Sequence, residues 1–181
     1  STGEIKAIAN LSLGKDGNYH EQYNYAIGES TEPGSTFKLA SVIAALEEGL
    51  VNVTDSVDTG KGRYKFYDQV MTDSKFGGHG KITFSEAFVV SSNIGISKAI
   101  NDAYAKNPQA FVDRLYKMNL QQSLGLEIAG EGEPLIKNTK DKSWSGVTLP
   151  WMSIGYEVQM TPLQILTFYN AIANDGRMVK P

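Results

Sequence analysis

A helix-rich α+β fold is what this sequence predicts, and three observations carry the prediction. Two capping boxes, Thr83-Phe84-Ser85-Glu86 and Thr161-Pro162-Leu163-Gln164, each announce a helix. The stretch from Ser35 to Glu48 is apolar almost all round, as a buried helix is. Strand-like alternation is sparse, and "GEIKAIAN" at 3–10 is its clearest instance. No internal repeat, low-complexity tract or linker divides the 181 residues, so one α+β domain is expected.

In chain order, 3–10 reads as a strand and the polar, turn-rich "LGKDGNYHEQYN" (13–24) as a loop. The buried helix of 35–48 ends at Gly49. "RYKFYDQVMTD" (63–73), with its aromatic and β-branched residues, reads as extended, and its aromatics as strand packing. "FGGHG" (76–80) is a loop. The first capping box opens a short helix, "SSN" at 91–93 interrupts it, and a second helix continues over roughly 94–105. Asn107-Pro108 start another, with Phe111, Leu115 and Met118 on one face. Residues 121–150 are irregular, Glu127, Glu131 and Glu133 reading as a solvated loop and Trp144 and Trp151 as packing. The second capping box starts a last helix, which Asp175-Gly176 closes.

Composition excludes several functions. The chain is 41% hydrophobic and 20% charged, which is ordinary for a globular domain. Net charge is -3 and the basic residues are scattered, so no nucleic-acid footprint is expected. There is no cysteine, hence no disulfide, iron–sulfur cluster or cysteine nucleophile. The two histidines, His20 and His79, lack a second ligand at metal spacing, and neither metal nor cofactor is expected. No run of about 18 apolar residues spans a membrane.

Chemistry concentrates in "EPGSTFKLASVIAALEEG" (32–49). Ser35 and Lys38 sit three apart, on one face of a helical turn. A serine hydroxyl is a weak nucleophile until a base takes its proton. Lysine is that base only if its charged form is disfavoured, which burial and the positive end of a helix both achieve. Backbone N–H groups at the helix start can also stabilise an oxyanion. Spacing alone leaves a second reading open, an N-cap serine with a lysine snorkelling to water. With 15 serines and 14 lysines, a Ser-x-x-Lys match arises readily by accident, and Ser12-Leu13-Gly14-Lys15 is a second one, in a loop. Ser91-Ser92-Asn93, between two helices, adds a hydroxyl for proton relay and an amide for orienting the lysine or a substrate carbonyl. Its plain reading is a helix break and cap.

Taken together, "EPGSTFK", "SSNIG" and "MSIGYEVQMTPLQILTFYNAIANDG", with "TGEIKAIAN" as first strand, resemble the transpeptidase domain of class B penicillin-binding proteins, and the division-specific subgroup in particular. The resemblance implies the penicillin-binding-protein/β-lactamase-like fold, here as its helix-rich part with an incomplete antiparallel sheet. It implies a D,D-transpeptidase that cross-links peptidoglycan stem peptides, with a D-Ala-D-Ala donor and an amine acceptor, and that β-lactams acylate. By position Ser35 resembles the nucleophile, Lys38 the general base, Ser91 the relay serine and Asn93 the substrate- and lysine-contacting amide. The acylation base is disputed among relatives of this group. The resemblance further implies an N-terminal anchor outside this chain, the extracytoplasmic (periplasmic) face of the inner membrane, and divisome proteins as partners.

One element departs from the pattern. No Lys-Thr/Ser-Gly triplet occurs in 1–181, so a truncated domain is expected, lacking the third-motif strand and the C-terminal part. Losing one oxyanion donor costs roughly 10²–10³ in kcat, so the fragment alone is expected to be nearly inactive. Two other functions share Ser-x-x-Lys. A serine β-lactamase needs a base for the deacylating water. The one Glu-x-x-x-Asn match, Glu48 to Asn52, falls before Ser91 at the far end of the Ser35 helix. A non-catalytic β-lactam sensor or scaffold would keep the fold, and only the domains attached to it would reveal it.

Overall fold

The computed structural model describes residues 2–181. In chain order its elements are β1 (Leu11–Leu13), β2 (Tyr19–Glu21), α1 (Tyr25–Gly28), a 3-10 turn (Gly34–Phe37), α2 (Lys38–Glu47), β3 (Ser56–Asp58), β4 (Arg63–Phe66), β5 (Gln69–Thr72) and β6 (Lys81–Thr83). Then come α3 (Phe84–Val89), α4 (Asn93–Tyr104), α5 (Pro108–Lys117), β7 (Leu135–Ile136), α6 (Thr148–Met152), β8 (Val158–Gln159) and α7 (Pro162–Ala173). Helices with small two-stranded antiparallel pairs make this an α+β fold, as the pattern predicts. The chain packs as two compact units, one of residues 2–33, 119–135 and 158–181, the other of 34–118 and 136–157.

In the first unit α1 packs on α7, and Thr31 bridges Met160. α7 begins as the sequence predicts. Thr161 accepts from the Gln164 N–H at 3.2 Å, and Gln164 Oε1 accepts from the Thr161 N–H at 2.7 Å. Two expectations are corrected. Residues 3–10 form no strand; they have no ladder partner among the described residues, and Ile5 and Ile8 lie exposed. Strand pairing starts at Leu11, and β1 and β2 form a hairpin that extends into the expected loop of 13–24, closed by Gly14 N–H on Asn18 O at 2.7 Å. Glu131 is not simply solvated either. It is half-buried and accepts the N–H groups of Leu124 and Leu126, so its carboxylate holds the 124–131 loop together. A groove of about 450 Å³ runs between segment 3–9 and α7 and contains none of Ser35, Lys38, Ser91 or Asn93.

The second unit is built around α4, which contacts α2, α3, α5 and α6. Its Ile94, Ile96 and Ile100 are fully buried, together with Ala44 of α2, Phe111 and Leu115 of α5 and Met152 of α6. β4 and β5 form a hairpin within the segment expected to be extended, turning at Tyr67-Asp68. The edge-to-face contact of Phe66 with Trp151 bears out the packing role of both. β3 pairs with β6, and β6 runs straight into the Thr83 cap of α3. The expected helix from 35 divides into the 3-10 turn and α2. α2 closes on Gly49 (φ +65°), with Gly49 N–H on Leu46 O and Leu50 N–H on Ala45 O, both at 3.0 Å. That pair of bonds is the Schellman end that glycine favours.

Candidate active site

The site grows from two helix ends. α3 starts on its capping box, Thr83 Oγ1 accepting from Glu86 N–H and Glu86 accepting from Thr83 N–H. It ends in the same two bonds as α2. Ser91 N–H donates to Phe88 O at 3.0 Å, and Ser92 N–H to Ala87 O at 2.8 Å. The residue in the left-handed position of this Schellman end is Ser91, at φ +54°, where α2 has glycine. A side chain there costs about 1–2 kcal/mol. Such strain persists only where the surroundings over-determine it. Ser92 then caps α4, its hydroxyl accepting Gly95 N–H at 2.8 Å, and Asn93 is the first residue of α4. Three consecutive residues thus end one helix, start the next and leave the Ser91 hydroxyl and the Asn93 amide free to point elsewhere.

Both point at Lys38. Its Nζ donates to Ser91 O at 2.7 Å, Ser91 Oγ at 3.0 Å and Asn93 Oδ1 at 2.7 Å. Asn93 is itself oriented, its Nδ2 donating to Thr72 O at 2.9 Å, which leaves Oδ1 for the lysine. Lys38 is 1% exposed, on a helix whose other buried residues are Ala40, Ser41, Ala44 and Ala45. Burial pushes its pKa down to about 8, against a smaller opposing pull from the Asp73 carboxylate. The snorkelling alternative is therefore wrong for Lys38, whose ammonium ends in a polar nest and not in water.

Ser35 lies on the 3-10 turn just before α2 and is exposed. In a 3-10 turn residues three apart eclipse, so Ser35 and the start of α2 share a face. All the donors of Lys38 go to Ser91 and Asn93, and none goes to the Ser35 hydroxyl. The structure thus brings Lys38, Ser91 and Asn93 into contact and holds Ser35 one turn away, open to solvent. The other Ser-x-x-Lys match differs in its lysine: Ser12 sits in β1 and Lys15 is exposed in the turn after it, so no buried amine accompanies that serine.

Sequence reading missed what holds the turn before Ser35. Gly34 (φ +55°) donates its N–H to Gly155 O at 3.1 Å. Gly155 (φ +88°) approaches so closely that a Cβ there would sit 2.0 Å from Gly34 O. The buried Ser41 hydroxyl donates to Ser153 O at 2.8 Å, so the 153–155 turn is fastened to α2 as well. Asp73 was missed too; its carboxylate accepts Ser92 Oγ–H at 2.8 Å and Ile94 N–H at 3.0 Å. The glycine in "SIGYE" was the available signal for the first, and nothing in local spacing pointed to the second.

Residues 1–181 match the family described as penicillin binding protein transpeptidase domain. The chain is 32% identical to penicillin-binding protein PbpB of Mycobacterium tuberculosis over 99% of its own length and 26% of that protein's. It is 29% identical to peptidoglycan D,D-transpeptidase FtsI of Escherichia coli K12, over 97% of the chain and 29% of the relative. It therefore spans less than a third of the length of these relatives. Among solved structures, penicillin binding protein 3 of Mycobacterium tuberculosis in complex with aztreonam superposes with a TM-score of 0.75 at 31% identity, covering 87% of this chain and 34% of that one. The transpeptidase domain of Burkholderia pseudomallei penicillin-binding protein 3 gives 0.78 at 27%, covering 87% and 45%. The chain belongs to the penicillin-binding protein transpeptidase-domain family, in its class B branch.

Proposed function

We propose that this chain carries the acylation centre of a peptidoglycan D,D-transpeptidase that cross-links stem peptides and is a target of β-lactams. The observation that carries the reading is the buried Lys38 amine, engaged by Ser91 and Asn93 one turn from an exposed serine. A lysine with a pKa near 8 has a substantial neutral fraction close to physiological pH, as a general base requires.

In this mechanism neutral Lys38 takes the Ser35 hydroxyl proton as Oγ attacks the penultimate D-Ala carbonyl. The Oγ–C bond forms and the D-Ala–D-Ala C–N bond breaks. The departing amine receives its proton through the Ser91 hydroxyl, which hydrogen-bonds to Lys38. An acceptor amine then attacks the acyl carbonyl; the C–N bond of the cross-link forms, the ester bond to Ser35 Oγ breaks, and the amine's proton returns to Oγ. With a β-lactam the ring amide C–N bond breaks instead, and the leaving nitrogen stays tethered in the site. Asn93 steers the lysine and the substrate carbonyl.

The third motif, a Lys-Thr/Ser-Gly strand with its oxyanion donor, is absent from the 181 residues, so the reading assigns it to sequence outside them and treats this chain as part of one larger transpeptidase domain. The resemblance of "SSNIG" to the division-specific subgroup extends the proposal to a role in cell division at the extracytoplasmic face of the membrane, with divisome proteins as partners. No helix among the described residues is long and apolar enough to cross a membrane. Against the lactamase alternative, Glu48 is engaged by the Tyr104 hydroxyl at 2.8 Å, far along α2 from Ser35.

The test uses the full-length protein with a D-Ala-D-Ala stem-peptide donor and an amine acceptor, tracking D-Ala release and cross-linked product by mass spectrometry. Ser35→Ala abolishes both if the reading is right. Cross-linking that survives in Ser35→Ala removes the reading.

A further inference from the structure

We propose that Asp73 is the positioning residue of this site: its two carboxylate oxygens pin the Ser92 hydroxyl and the Ile94 amide, and thereby hold Ser91 and Asn93 against Lys38. The inference rests on the transpeptidase reading above and adds to it a residue that neither spacing nor motif assigns.

The geometry is a clamp from one strand end onto one turn. β5 finishes at Thr72, whose carbonyl accepts the Asn93 amide at 2.9 Å. The next residue is Asp73, with Oδ2 on Ser92 at 2.8 Å and Oδ1 on Ile94 N–H at 3.0 Å. Residues 92, 93 and 94 are thus each held from the 72–73 segment, and the strained Ser91 lies directly upstream of them. The hairpin end is itself tied down, Asp73 N–H donating to Gly62 O at 3.1 Å. Below the clamp, the buried Ser97 hydroxyl of α4 points at Met71 Sδ of β5 at 3.0 Å. Bonds to a carboxylate are the stronger kind, and a side chain at positive φ persists where such bonds fix it.

The same carboxylate is the negative charge whose field reaches Lys38, opposing the effect of burial. The other charges on the helices around α2 are engaged elsewhere or remote. Glu86 of α3 is held in its capping box, Lys98 of α4 donates to Asp58 O, Asp113 of α5 accepts from Gln109, and Arg114 of α5 pairs with Glu47. Asp102 of α4 lies by the 50–57 segment, with Leu50 and Val51, and Lys117 is exposed at the C-terminal end of α5. Asp73 therefore couples two properties of the site, the placement of the Ser91–Asn93 turn and the proton affinity of the base.

The experiment measures β-lactam acylation rate against pH in the full-length protein, and in parallel titrates ¹³Cε-labelled Lys38 by NMR. Asp73→Asn keeps the shape and removes the charge. Its acid limb and its Lys38 titration both move down by roughly one pH unit, the sign expected when a cation loses a nearby anion. Ser92→Ala keeps the charge and removes one arm of the clamp. It slows acylation, up to about 10²-fold for a misplaced group, and leaves the Lys38 titration where it was. An Asp73→Asn protein whose rate, acid limb and lysine titration all overlay the wild type overturns the proposal. So does a uniform loss of rate and melting temperature in both variants with no shift in either titration, which is what a purely structural carboxylate gives. If the wild-type protein takes no label at any pH, it is the functional reading that fails, and the lysine titration decides on Asp73 alone.

Discussion

Lys38 reaches both oxygens of Ser91, the carbonyl at 2.7 Å and the hydroxyl at 3.0 Å, and Ser91 holds them there at φ +54°. The strain and the site are one feature. The same helix ending at Gly49 uses a glycine and presents nothing. At residue 91 the chain accepts the cost of a side chain in that conformation and obtains a hydroxyl beside the amine.

That relationship separates two variants that both lack the hydroxyl. Ser91→Gly and Ser91→Ala should lose acylation to a similar degree, since each removes the hydroxyl beside the Lys38 amine. The glycine variant should be more stable than the alanine variant by about 1 kcal/mol, because only alanine keeps a Cβ in the left-handed region. Urea unfolding of the two measures the difference. Equal stabilities would mean that the turn relaxes out of this conformation when the hydroxyl is gone.

Lys38 should leave a signature in stability against pH. Its folded pKa is near 8 and its ordinary value 10.5, so between them the unfolded chain binds the proton more tightly. Below about 8 both states are charged and the full burial cost is present. Stability contributed by this group therefore rises as pH climbs from about 8 to 10.5. Lys38→Met should lack that rise and should fail to acylate. Thermal unfolding of both proteins across this range checks it, and parallel curves would contradict the burial argument.

Much of this was legible because it is local. Both capping boxes, Pro108 at a helix start and the close at Gly49 are written within four residues of sequence, and each formed as expected. The set of Ser35, Lys38, Ser91 and Asn93 came from motif likeness; the structure joins Lys38 to 91 and 93, while Ser35 makes no bond to the lysine. What failed was non-local. The alternation in 3–10 is a strand pattern, yet a strand needs a partner and none is present among the described residues. The β1–β2 hairpin is almost wholly exposed on both faces, so it carries no alternation to read. The pairing of Ser56 with Thr83, the Asp73 clamp and the Gly34–Gly155 contact join positions far apart in the chain, and no local spacing encodes them.

Gly95 should prove intolerant of a methyl group. A Cβ there would lie 2.6 Å from Ala87 Cβ, where α4 crosses α3 beside the Ser91 turn. Gly95→Ala should cost about 1–3 kcal/mol by overpacking and should slow acylation by shifting the turn. Adding Ala87→Gly removes the clashing partner and should recover a good part of both losses. A double variant no better than the single one would place the damage elsewhere.

Gly155→Ala meets backbone rather than a side chain, the Gly34 carbonyl at 2.0 Å, and it does so at φ +88°. No second-site change can relieve that. It should destabilise by about 1–3 kcal/mol and displace the turn that carries Ser35. Acylation should therefore fall by more than the loss of folded protein accounts for, as rates scaled to the folded fraction would reveal.

The decisive measurement is the intact mass of the full-length protein after penicillin treatment, with the modified peptide mapped by fragmentation. One adduct on Ser35, absent from Ser35→Ala and formed far more slowly in Lys38→Ala, is the predicted result. An adduct on Ser12 or any other residue, or labelling that persists at the wild-type rate without the Lys38 amine, would contradict it.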